Sequence, residues 1–221
     1  MLAPVIIYED NHLLIVQKPP GFLAQPDGSP RPDILSWAGT YLARNKPGRA
    51  FVGLTHRLDR AVGGVMALAK TSKAASRLSS QFRERTVGKI YLALVKGPLP
   101  EKGGLLDQAL WREGSLTRLA RPGEKGTRAL LEWQARERKD DFSLLEVKLL
   151  TGFKHQIRAQ LASLGLPLIG DRRYGGEMPG APGEVSAIGL WAVKLTLEHP
   201  TTKETLSFQS DPWPLWPWTL L

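Results

Sequence analysis

Short apolar runs joined in pairs by polar turns constrain this chain more than any other feature. "PVIIY" (residues 4–8) and "HLLIVQK" (12–18) flank the polar "EDN", and "RALLEWQARER" (128–138) and "FSLLEVKLL" (142–150) flank "KDD". Two β-prone runs separated by a few polar residues predict an antiparallel hairpin. "AIGLWAVKLTL" (187–197) and "ETLSFQS" (204–210) repeat the arrangement around "HPTTK". Single strands are expected at "GGVMALAK" (63–70) and "KIYLALVKG" (89–97), the latter closed by Gly97 and Pro98. Helical spacing is confined to three stretches. These are "DILSWAGTYLAR" (33–44), "TSKAASRLSSQFRER" (71–85, capped by Thr71 or Ser72) and "KHQIRAQLASLG" (154–165). In the last, Ile157, Leu161 and Leu164 form one stripe and Gly165 takes the position after the helix end. Hairpins with few helices between them predict an α+β fold, not a doubly wound one.

Three stretches carry weaker signals. Residues 26–50, with Pro26, Gly28, Pro30, Pro32, Pro47 and Gly48, read as loop around the first helix. Residues 100–127 are rich in glycine and charge and read as loop with one edge strand near "LLDQALW". The tail "DPWPLWPWTLL" is too rich in proline for helix or strand, and its three tryptophans are expected to cap an edge of the core. No internal repeat or long linker divides the chain, so residues 1–221 read as one domain.

Composition narrows the partner. Thirty Lys and Arg against 21 Asp and Glu give a formal charge of +9, which favours a polyanion. Residues 70–89 concentrate that charge, with six bases against Glu84 alone, and suggest a phosphate track. No apolar run approaches the ~20 residues a membrane helix needs, and the first residues lack a signal peptide's basic start. With no cysteine there is no disulfide or thiolate chemistry. A cytoplasmic, nucleic-acid-binding protein is expected, with no membrane partner.

Several chemistries fail on motif grounds. The chain has no phosphate-binding glycine loop ending in Lys-Ser/Thr, no G-x-G-x-x-G after a strand, and no G-x-S-x-G elbow. Its four histidines are too scattered to predict a metal site. Two clusters remain: "HRLD" at 56–59, and residues 149–176, where a strand runs through Thr-Gly into a helix. That helix carries His155 and Arg158 about one turn apart, opposite the Ile157 and Leu161 stripe.

Together the clusters resemble the RluA-type RNA pseudouridine synthases. "HRLDRAVGG" is similar to the family's H-R-L-D-x-x-T-S-G, and "TGFKHQIRAQLASLGLPLIGDRRYG" to its T-G-R-x-H-Q-I-R stretch and the segment that follows. "IVQKPPGFLAQP" resembles its K-P-x-G segment, "GKIYLALVKG" its K-x-Y-x-A-x-V-x-G strand, and "EHPTTKE" its late H-P turn. The matches occur in the family's order over roughly residues 5 to 210. Val62 and Gly63 stand where Thr-Ser is usual, and Phe153 where arginine is usual.

The resemblance implies a mixed, mainly antiparallel central sheet with a few flanking helices and an active-site cleft across it. It also implies a single catalytic domain without the S4-like RNA-binding domain many relatives carry ahead of it. The implied reaction turns uridine into pseudouridine in ribosomal or transfer RNA, with no metal and no organic cofactor. By the same match, Asp59 is the catalytic acid at C1′ of an extruded uridine, and Arg158 the guanidinium that keeps it ionised. Arg57 fills the space the base leaves, and Tyr91 stacks on the uracil. His56 and His155 are expected only to hold structure. A monomer is expected. The alternative is an RNA-binding or folding factor that keeps the scaffold without catalysis.

Overall fold

The computed structural model describes residues 2–44, 50–97, 99, 101–180 and 187–221; Pro47, Gly48 and Pro98 lie outside them. The strands are β1 (Val5–Glu9), β2 (Leu13–Lys18), β3 (Gly53–Leu54), β4 (Gly63–Ala69), β5 (Gly88–Lys96) and β6 (Gly103–Glu113). They continue with β7 (Leu116–Leu119), β8 (Thr127–Lys139), β9 (Phe142–Leu149), β10 (Leu190–Glu198) and β11 (Thr205–Gln209). The helices are α1 (Ile34–Ala43), α2 (Ser72–Glu84) and α3 (Gln156–Ser163). This is the expected α+β class, an open and mostly antiparallel sheet with three α-helices among the described residues. No helix among those residues is long and apolar enough to cross a membrane. The chain divides into two compact units, Met1–Gly88 with Ala192–Asp211, and Lys89–Trp191 with Pro212–Leu221.

In the first unit, β1 pairs with β2, β2 with β4, and β10 with β11, all antiparallel. All seven residues of β4 are buried, so its unbroken apolar run is that of a strand covered on both faces. Asp33 caps α1 by accepting from the Ser36 N–H at 2.8 Å. For α2 the cap is Thr71, whose hydroxyl accepts from the Ala74 N–H at 3.1 Å. The late H-P turn is tied to the first hairpin through His199 Nε2, 2.8 Å from an Asp10 carboxylate oxygen.

Gly64, the glycine that ends the H-R-L-D segment, sits at φ 121°, and a Cβ there would stand 2.3 Å from the Ala192 carbonyl oxygen. Both objections are to backbone, so no rotamer relieves them. Gly64→Ala is expected to lower unfolding free energy by roughly 3 kcal/mol or more, read by urea denaturation. A change under about 1 kcal/mol would mean that β4 and β10 can separate there without loss.

In the second unit the antiparallel order is β5-β9-β8-β6-β7. The expectation of loop with one edge strand near "LLDQALW" is corrected in part, since that strand forms but is longer and is not the edge. β6 runs for 11 residues between β8 and β7, and β7 forms the edge. The glycines that suggested loop permit close strand approach, since a Cβ on Gly103 would meet the Trp133 carbonyl oxygen at 2.7 Å. The charges are the wet side of paired strands. Arg128 grips Asp107, and Arg118 bridges Glu113 and Glu124.

α3 also departs from its reading. Gln156 through Leu161 are all buried, so the helix has no wet side opposite the Ile157 and Leu161 stripe. Its polar side chains are satisfied internally. Gln156 Nε2 donates to the Leu130 carbonyl at 3.0 Å, and Gln160 Nε2 to that of Ala129 at 3.2 Å. Gly165 ends the helix at φ 75°, as expected. In the tail, Trp218 is buried within a 3-10 turn and Trp216 packs on Gly170, whereas Trp213 stays exposed.

Candidate functional site

Asp59 lies in the loop between β3 and β4, and that loop is fastened at both ends. On one side His56 Nε2 accepts from the Ala67 N–H at 2.9 Å, while the ring stacks on Phe82 of α2 with centroids 4.4 Å apart. Thr55 donates its hydroxyl to the Ala67 carbonyl at 3.1 Å. On the other side the Arg60 carbonyl accepts from the Gly21 N–H at 2.8 Å and from Lys18 Nζ at 3.3 Å. The Val62 N–H donates to the Asp59 carbonyl at 3.0 Å and closes the turn. Leu58 points inward and is buried, Asp59 is half-buried, and Arg57 and Arg60 are exposed. His56 therefore has the structural role expected of it.

Lys18 is the residue the sequence reading passed over. It is wholly buried, and its ammonium donates to the carbonyls of Pro19 (3.1 Å), Phe22 (2.8 Å) and Arg60. One side chain thus ties the K-P-P-G turn to the H-R-L-D loop. Burial pushes its pKa down to about 7; the nearby Asp59 carboxylate opposes the shift and the Arg60 guanidinium adds to it.

The sign of the pH effect follows. The folded protein releases the Lys18 proton near 7, whereas an unfolded lysine holds it to ~10.4. Within that window the unfolded chain binds more protons, so stability rises with pH. In Lys18→Met this contribution is expected to vanish, flattening the rise measured by denaturation at a series of pH values. An unchanged slope in the variant would show that Lys18 does not titrate there.

Tyr91 and Arg158 belong to the second unit. Tyr91 is buried on β5, opposite Val147 of β9. Arg158 is buried on α3, and its Nε and one Nη donate to the two oxygens of Asp171, each at 2.7 Å. Both side chains are almost excluded from water, 8% and 1% exposed. The Arg158 guanidinium also lies 5.0 Å from the centroid of the Tyr174 ring. The Tyr174 hydroxyl accepts from the Thr117 N–H and lies 3.0 Å from His155 Nδ1. His155 is not on a helical face with Arg158, since it precedes α3 in the left-handed region at φ 54°, yet both side chains meet Tyr174. Asp171 and Tyr174 both come from "GDRRYG", to which no role was assigned.

The departures from the family pattern sit in apolar surroundings. Val62 is buried, and Phe153 packs on the cluster of Leu110, Ala129 and Ala159. A concavity lined by Lys102, Glu132, Gln134, Glu146 and Lys148 lies on the β6, β8 and β9 face and holds none of the candidate residues. Among the described residues, no three His, Asp or Glu side chains stand together to hold a metal ion.

Chemically, the first unit offers a carboxylate in a rigid turn between two exposed cations. The second offers a buried guanidinium set by its own carboxylate, and a tyrosine on a sheet strand. Residues 12–163 match the RNA pseudouridylate synthase family. An uncharacterized RNA pseudouridine synthase of Aquifex aeolicus is 36% identical over 93% of this chain and 68% of its own. The ribosomal large subunit pseudouridine synthase D of Pseudomonas aeruginosa is 33% identical over 93% and 67%. The dual-specificity RNA pseudouridine synthase RluA of Haemophilus influenzae is 34% identical over 93% and 91%. Human RNA pseudouridylate synthase domain containing 1 superposes with a TM-score of 0.73 at 26% identity, over 95% of this chain and 84% of that one. A match of this extent, in sequence and in fold, makes the chain a member of the RNA pseudouridylate synthase family, and so an isomerase.

Proposed function

We propose that this single catalytic domain converts uridine to pseudouridine in ribosomal or transfer RNA, with Asp59 acting at C1′ of a uridine drawn out of its stack. In the reaction the N1–C1′ bond breaks, the uracil turns, a C5–C1′ bond forms, N1 gains a proton and C5 loses one. Bond cleavage builds positive character at C1′, which a carboxylate stabilises or traps covalently. The observation that carries this reading is the fastening of the Asp59 turn by Lys18, Gly21, His56 and Val62. A reacting carboxylate needs that preorganisation, and a surface ion pair does not.

The remaining roles are those the family resemblance implies. Arg158 serves as the positive partner of the reacting carboxylate, and Asp171 fixes its guanidinium in orientation. Tyr91 offers a ring for the uracil, and Arg57 a flat cation for the gap left in the RNA stack. The ribosomal and dual-specificity names of the relatives support rRNA and tRNA as the substrates to try.

The test uses large-subunit rRNA and tRNA transcripts carrying tritium at uridine C5. Isomerisation releases that hydrogen to water, and release is expected from at least one of the two. Absence of release from both, with the RNA bound, would overturn the reading.

A further inference from the structure

We propose that the C-terminal turn of α2, through Arg85, forms a phosphate-binding rim for the RNA backbone beside the Asp59 loop. The inference rests on the RNA-isomerase reading above and adds the surface that grips the substrate. Of the six bases in residues 70–89, four have partners within the protein. Lys70 meets Glu9 at 2.6 Å, Arg77 donates to the Pro200 carbonyl, Arg83 to the Ser80 hydroxyl, and Lys89 to the Thr151 carbonyl. Arg85 is exposed, and its guanidinium has no hydrogen-bond or ion-pair partner among the described residues.

Its backbone makes the residue choice informative. Arg85 closes α2 in the left-handed region, at φ 63° and ψ 28°, a position glycine fills without steric conflict. Lys203 is the other left-handed cation of this unit, at φ 69°, but its ammonium is held by Glu198 at 2.8 Å. No such contact accounts for Arg85. The turn is also well placed. Phe82, three residues before Arg85, carries the stacked His56 ring and joins the end of α2 to the loop bearing Arg57 and Arg60. Those two side chains are exposed as well, and among the described residues no acid pairs with them. The Arg85 and Arg60 guanidinium groups, on connected segments, suit phosphate oxygens, and no acid among the described residues competes for them. A cation at a helix C-terminus also complements the helix dipole, and that purely structural role makes a different prediction.

The experiment measures binding of a synthetic stem-loop RNA with a uridine in its loop, across a salt series. Arg85→Gly is expected to bind about fivefold to tenfold more weakly at ~0.1 M salt, with a log–log salt slope shallower by about 1. Its thermal midpoint should not fall, because glycine suits the left-handed turn. Lys203→Gly, which removes an already neutralised charge, should keep native affinity and slope. Native affinity and slope in Arg85→Gly, or an equal loss in Lys203→Gly, would overturn the rim. Should Arg85→Gly unfold early, Arg85→Asn keeps the turn, and native binding by that variant overturns the proposal equally. The two readings separate cleanly: native protein that binds with this Arg85 dependence but forms no pseudouridine defeats the isomerase assignment and leaves the rim standing.

Discussion

Pseudouridine formation by Asp59→Ala is expected to fall by on the order of 10³-fold or more in single turnover, while RNA binding persists. Alanine leaves nothing at C1′ to meet the positive character that develops as the glycosidic bond breaks. The loop itself should survive the change. Its anchors are the Arg60 and Asp59 backbone carbonyls, the His56 ring and the buried Leu58, none of which the substitution removes. Asp59→Asn sharpens the test, because it keeps the shape of the side chain and removes only the charge. Both variants should be inactive, and both should bind the stem-loop RNA as the native protein does. If Asp59→Asn turned over at the native rate, the charge would not be the operative feature. If Asp59→Ala did so, the acid would be misassigned altogether, and another group would have to meet the positive character at C1′.

The parts of this molecule that the sequence exposes are those whose chemistry is local. Hairpins show through alternating apolar runs and polar turns, Thr71 through its capping position, and Gly165 through its place after a helix. The segment around Asp59 stands out because His56 through Gly64 is one contiguous string. Lys18 is not, because lysine is ordinarily a surface residue, and nothing local says that three carbonyls will converge on this one. Asp171 escapes for a related reason. A glycine-rich loop with mixed charge predicts solvent, and only the tertiary fold brings this acid onto a buried arginine. β6 is legible only at its centre, near "LLDQALW", because the glycines and charges around it imitate a loop while serving close strand contact and cross-strand pairing. α3 shows the limit of periodicity. A stripe marks the buried side only when the other side is wet, and here Gln156, Arg158 and Gln160 are buried with partners of their own.

Loss of the carboxylate in Asp171→Ala is expected to lower unfolding free energy by about 3–5 kcal/mol, the usual effect of removing one member of a buried, bidentate ion pair. Arg158 cannot escape by losing its proton, because guanidinium stays charged in proteins. Nor can it simply swing to water. It stands on a helix buried over residues 156–161, beside the Tyr174 ring, whose hydroxyl is engaged by Thr117 and faces His155. A double variant separates structure from function. Arg158→Met with Asp171→Leu replaces the pair by apolar groups of similar volume and should recover much of the stability lost in Asp171→Ala. If Arg158 is the positive partner of the reacting carboxylate, the recovered protein remains inactive, although it is well folded and still binds RNA. If activity returned with stability, Arg158 would be a structural residue alone, and Asp59 would need its positive partner elsewhere. A Asp171→Ala protein within about 1 kcal/mol of native would instead mean that water reaches the pair in solution.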